Sequence, residues 1–162
     1  MLAITKTAGL SGICGMEVTV EASAERGLPA YHVIGLGDTA VKESAERVRG
    51  AILNSGFAYP KGRITVNLSP AWVRKSGSHY DLAIAAILAT QGLFSEEKLS
   101  GKAFLGELNL NGEVQGVRGV LPMMTGLCGK ATEVYLAESN RKEGSLAAKE
   151  SGTRVVAVKN LR

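Results

Sequence analysis

The residue types best able to do chemistry lie between Gly35 and Asp81. Gly35-Leu36-Gly37-Asp38-Thr39-Ala40 fits the G-x-G-x-x-G/A fingerprint, whose glycines let the backbone approach a pyrophosphate at a helix start. Two features of the same stretch argue against a dinucleotide. Asp38 would set a carboxylate where a bound anion needs the positive end of the helix dipole unopposed. The next strand, Arg63 to Leu68, ends without the Asp or Glu that would hold a ribose hydroxyl. A tight strand-to-helix turn with Asp38 as N-cap is the better reading.

Other catalytic patterns are incomplete. Ser76, Ser78, His79 and Asp81 supply the residue types of a hydrolytic triad but share one short loop and helix start, whereas triads are assembled from separated segments. Ser78 and Asp81, three apart, resemble a capping box instead. His32, the other histidine, sits in a strand and reads as a partly buried structural residue. The Gly-Lys pairs Gly101-Lys102-Ala103 and Gly129-Lys130-Ala131 lack the hydroxyl of a Walker A loop and its glycine five places earlier. No His, Asp or Glu pair has metal-ligand spacing on one face. The residues yield no catalytic, cofactor or metal site.

Charge gives a different lead. Lys42 to Lys75 holds seven basic residues and two acidic ones, +5, while the rest of the chain sums to −1. Such an excess is either the footprint of a polyanion or a solvated helix face with basic turns. Lys61, Arg63, Arg74 and Lys75 flank one strand and are the candidate nucleic-acid-binding residues. Aromatic side chains are sparse there, so recognition of single strands by stacking is not expected.

The elements that must position these residues follow from periodicity. Met16 to Glu21 alternates apolar and polar residues as a half-buried strand does, with Gly12, Gly15 and Gly27-Leu28-Pro29 marking turns. A further strand covers Ala30 to Ile34, and the first 36 residues read as antiparallel strands. Val41, Ala45, Val48 and Ile52 predict one buried stripe of a helix that starts at Asp38 and stops at Gly56. Arg63 to Leu68 is a strand, and Leu82 to Ala89 is apolar all round, a central buried helix ended by Gly92. Ala103 to Leu108 is a strand leading into an Asn111-Gly112 hairpin. Helix and strand then alternate over Gly119–Lys130, Glu133–Ala137, Asn140–Ser151 and Thr153–Val158, which argues for an α/β layer with parallel strands.

Size and composition agree with one α/β domain over residues 1–162. Cys14 and Cys128 are far apart and form no metal or redox motif, favouring a reducing compartment. No signal peptide and no membrane-crossing run is read, so a cytoplasmic location is expected, and the absence of tail composition suits a fragment of something longer.

Taken together, Val33-Ile34-Gly35-Leu36, Asp38 to Ser44, Asn54-Ser55-Gly56-Phe57, Ile64 to Leu68, Gly77-Ser78 with Asp81-Leu82, and Gly106-Glu107-Leu108 resemble the N-terminal domain of the ComM/YifB proteins. These are bacterial AAA+ ATPases often described as magnesium chelatase-like. Gly37 departs from the proline usual in the family and creates the false dinucleotide fingerprint. The resemblance implies a mixed-sheet fold shared with the Lon protease domain, the second domain of a ribosomal protein and the C-terminal domain of RadA. It implies an ATPase module elsewhere that carries ATP and Mg, none of it in this stretch. The implied partners are DNA, the chain's own AAA+ module and sister subunits of a hexamer, with no membrane, in branch migration during natural transformation.

Laid over the Lon serine–lysine dyad, this sequence places Tyr80 at the nucleophile and Leu121 near the lysine, and neither side chain can serve. Three readings follow: a non-catalytic domain for DNA contact and assembly, an active or relict Ser-Lys peptidase, and a pure protein-interaction module.

Overall fold

The computed structural model describes residues 2–89 and 96–162. The elements in chain order are β1 (Leu2–Ser11), β2 (Cys14–Glu25), β3 (Ala30–Ile34), α1 (Thr39–Asn54), β4 (Arg63–Ser69), α2 (Asp81–Ala89), α3 (Glu96–Leu99), β5 (Lys102–Leu105), β6 (Glu107–Leu108), β7 (Val114–Gln115), α4 (Val120–Leu127), β8 (Glu133–Ala137), α5 (Arg141–Ser151) and β9 (Arg154–Val158). The fold is mixed α/β, with a sheet ordered β3-β4-β2-β1-β5-β8-β9 and a small β6-β7 ribbon. Gly92, expected to end α2, lies outside the described residues.

β1 and β2 form a long antiparallel hairpin, Leu2 opposite Ser23 and Ser11 opposite Cys14. β4 adds antiparallel to β2, but β3 pairs with β4 in parallel, His32 opposite Thr65. The expectation of antiparallel strands through residue 36 therefore fails at β3. Helix α1 carries the chain back between β3 and β4, and a crossover of that kind sets two strands parallel. On the other side of β1, strands β5, β8 and β9 run in parallel, as the helix–strand alternation predicts.

Two apolar layers hold the sheet. On one face α1 and α2 cover Val18, Val20, Ile64, Val66 and Leu68. On the other, α4 and α5 cover Ala8, Ala103, Leu105, Val134 and Leu136. Helix α1 buries Val41, Val48 and Ile52 as its spacing predicts, but Ser44 and Ala51 complete the stripe and Ala45 stays half-buried. Helix α2 is buried nearly all round.

Two glycines differ in role from the local pattern. Gly15 is within β2, not at a turn: a Cβ there would sit 1.7 Å from the Pro122 carbonyl oxygen, so its role is close approach of α4 to the hairpin. Gly106 splits the expected 103–108 strand. Its amide donates to the His79 carbonyl (3.1 Å) and its carbonyl accepts from Leu82 (3.0 Å), diverting the chain from β5 to the start of α2.

Candidate nucleic-acid interface

The structure does not gather the four candidate cations. Lys61 and Arg63 are exposed at the start of β4, and Arg74 is exposed beyond its end. A seven-residue strand is about 20 Å long at roughly 3.3 Å per residue, so the two sets are well separated. Lys75 is 1% exposed. Its Nζ donates to the Pro70 carbonyl, its amide to the Leu36 carbonyl (3.1 Å), and its own carbonyl accepts from Asp38 (2.9 Å). Burial lowers the pKa of this ammonium. The expectation that Lys75 shares a surface with the other three is corrected: its amine closes the 70–77 loop from inside.

A groove of about 620 Å³ lies between the β2–β3 turn, α1 and the loop into β4. Tyr31, Glu46, Arg49, Tyr59 and Lys61 contribute to its walls; Arg63, at the strand start opposite Glu25, falls on the other face of the sheet from Ile64 and does not line it. Burial pushes the Tyr59 hydroxyl up to about 12, with the charge of Arg49 opposing the shift. Among the described residues Arg49 and Lys61 make no ion pair, and Glu46 is the one carboxylate that shares the groove wall with them. Sequence reasoning missed Arg49 and Tyr59 as members of the site. Arg49's place off the buried stripe of α1 is visible in the sequence, but its convergence on a loop ten residues away is not. The sheet face away from α1 is less suited to a polyanion, since Glu17, Glu21 and Glu25 alternate along β2 there.

The residues with triad chemistry are used differently. The capping-box reading is overturned: Ser78 Oγ donates to the Glu107 carboxylate, and Asp81 pairs across to α1. Arg47 Nε donates to Asp81 Oδ2 at 2.7 Å and Nη2 to Oδ1 at 3.1 Å, while the Leu108 amide reaches Oδ2 at 3.3 Å. Burial raises the Asp81 pKa to about 6 against the pull of Arg47. His79 is lowered to about 4 by burial, bonds the Ala8 backbone, and leaves Nε2 buried without a partner. Tyr80 is 2% exposed beneath β1 and Leu121 is an exposed residue of α4. His32 proves exposed rather than partly buried, because it faces away from the helices on edge strand β3.

The glycine turn and the two Gly-Lys pairs do not fit a nucleotide's phosphates. Asp38 Oδ1 accepts from Val41 (2.9 Å) and Oδ2 from Gly77 (3.2 Å), so the glycine turn is capped by its own carboxylate. Gly35 takes φ +108° with its Cβ position 2.1 Å from the Leu68 carbonyl oxygen, so its backbone is pressed against β4, not against a ligand. Gly101-Lys102 leads into strand β5 and Gly129-Lys130 into β8, so neither offers the helix N-terminus that a phosphate needs.

Comparison with known proteins agrees with this architecture of motifs. The family model described as subunit ChlI of Mg-chelatase matches residues 20–140. The protein YifB of Escherichia coli is 39% identical over 146 residues, covering 90% of this chain and 29% of YifB. Competence protein ComM of Haemophilus influenzae is 38% identical over 148 residues, 91% of this chain and 29% of ComM. A Mycobacterium tuberculosis protein is 47% identical over 112 residues, 68% of this chain and 22% of its own length. The chain thus spans under a third of the length of these relatives. Matches that cover nine tenths of it, on the segments that carried the resemblance, place the chain in the magnesium chelatase-like ComM/YifB family.

Proposed function

We propose that this chain is the non-catalytic N-terminal domain of a ComM-like AAA+ ATPase that acts on DNA in recombination, with a Lon-like fold. Its task is to contact DNA and help assemble the ring, while ATP and Mg are handled by the ATPase module. The observation that carries the reading is the groove in which Arg49 and Lys61 converge beside Tyr59, facing the single carboxylate of Glu46, with which neither cation forms an ion pair among the described residues. Support for the non-catalytic part is that the Ser78 hydroxyl is held by a carboxylate and the buried amine of Lys75 by a backbone carbonyl. A serine–lysine dyad would need those two groups on each other. The relative named for competence makes DNA the expected polyanion.

The test is binding of the 162-residue chain to duplex DNA across a salt series. Neutralising about two phosphates gives log K against log salt a slope near −1.8, about −0.9 per phosphate. Binding whose strength ignores salt, or no binding at low salt, overturns the DNA reading.

A further inference from the structure

The chain has one tryptophan, Trp72, and it is 82% exposed. An indole so exposed is costly unless something covers it, because burying an aromatic of this size is worth several times the thermal energy. The loop that carries it is fixed in place. The Val73 amide reaches the Pro70 carbonyl (3.4 Å), Lys75 bridges Leu36 and Asp38 through its backbone, and its Nζ returns to Pro70. The Gly77 amide closes the far end on Asp38 Oδ2. Lys75, removed from the candidate surface by burial, is thus the internal strut that holds Trp72 outward. Two residues on, Arg74 is exposed and makes no ion pair among the described residues.

Sparse aromatics in this segment argue against stacking, but the one indole is held outward, and we propose that Trp72 stacks on an unpaired DNA base while Arg74 holds a neighbouring phosphate. The chemistry is that of an aromatic platform with an adjacent cation, which accepts any base through its π-face and gives no sequence preference. A base inside a duplex has both faces covered by its neighbours, so the platform selects single-stranded or branched DNA over continuous duplex. A nucleic acid fits the tip better than an apolar protein partner because Pro70–Gly77 exposes the Arg74 cation beside the indole and contains no acidic residue. This inference rests on the DNA reading above but uses a different end of β4, so the two can fail separately.

The single indole makes the test direct. The chain is titrated with a thymidylate oligonucleotide and, separately, with a duplex of the same length, following both tryptophan emission and the anisotropy of labelled DNA. Stacking quenches emission with the oligonucleotide and much less with the duplex. Trp72→Ala then weakens oligonucleotide binding about 10-fold, within the range for loss of one base–aromatic stack, leaves duplex binding unchanged, and Trp72→Phe recovers most of the loss. If DNA binds with the salt slope of the groove but emission stays constant and Trp72→Ala is silent, this inference falls and the groove reading stands. If no DNA binds, both fall. If emission instead changes with protein concentration, and Trp72→Ala lowers the solution mass, the indole covers another copy of the chain and the stacking assignment is overturned.

Discussion

Arg47 and Asp81 stand thirty-four positions apart in the chain and meet in a two-pronged pair, Nε to Oδ2 at 2.7 Å and Nη2 to Oδ1 at 3.1 Å. The Asp81 side chain is 0% exposed and begins α2; Arg47 sits midway along α1 and also donates to the Ala40 carbonyl at 2.8 Å. The pair therefore fixes the angle at which the two helices cover the sheet, and with it the α1 wall of the groove.

Removing one partner leaves the other charge buried and unpaired. Arg47→Ala is expected to cost about 3 kcal/mol, near the lower bound for breaking a buried ion pair, because Asp81 keeps only the Leu108 amide. Asp81→Asn costs less, since the amide retains a hydrogen bond to Arg47 and carries no charge to desolvate. Urea unfolding at neutral pH measures both. A loss below about 1 kcal/mol for Arg47→Ala means the pair is a surface bridge in effect.

The buried groups at the start of α2 oppose each other in acid. His79 has a folded pKa near 4, below its ordinary 6.5, so the unfolded chain binds more protons between those values and stability is lost as pH falls through them. Asp81 has a folded pKa near 6, above its ordinary 3.8, so the folded chain binds more protons and stability is gained over nearly the same fall. Each contributes about 3 kcal/mol, at 1.36 kcal/mol per pKa unit, so they offset. Going from pH 6.5 to 4.5, His79→Asn should gain stability relative to the parent chain's own change, and Asp81→Asn should lose it. Urea midpoints at the two pH values decide. Equal shifts in both variants would mean that neither group titrates as its burial implies.

Much of this arrangement is written in local patterns. The stripe Val41, Val48, Ile52 and the Asp38 cap announce α1, and the unbroken apolar run from Leu82 announces a buried helix, because burial periodicity is a property of neighbours in sequence. What stays hidden depends on partners distant in the chain. Ser78 and Asp81 have the spacing of a capping box, and nothing local reveals that Glu107 and Arg47 claim them. Lys75 reads as a loop cation because its burial arises only when the loop folds over Leu36 and Asp38. Gly15 reads as a turn since a glycine required by a helix packing on it, about a hundred residues later, looks the same in sequence.

Gly15 also yields a packing test. Its Cβ position lies 1.7 Å from the Pro122 carbonyl oxygen, and that of Gly126 lies 2.5 Å from the Gly15 carbonyl carbon, so backbone meets backbone there. No side chain can move aside to relieve an added methyl. Gly15→Ala should cost about 3 kcal/mol, the upper part of the range for overpacking, by lifting α4 from β2. Thermal unfolding reads the loss, and hydrogen exchange should show it concentrated in α4. Exchange that rises evenly across the sheet would place the strain elsewhere.

The groove and the strut separate cleanly by charge substitution. Arg49→Ala and Lys61→Ala each remove a solvent-facing cation of the groove, and each should flatten the salt dependence of duplex binding by about 0.9 for every phosphate no longer neutralised. Lys75→Met removes the same formal charge but from an amine that is 1% exposed and bonded to Pro70, so the duplex slope should not change. Its effect should appear at the tip instead. With the Nζ bond gone the 70–77 loop loosens, and tryptophan emission shifts toward that of a mobile, solvated indole before any DNA is added. Isotherms at four salt concentrations, with emission of the free protein, read both outcomes. A flattened slope for Lys75→Met would mean that its amine reaches the DNA after all, and would restore it to the surface beside Arg74.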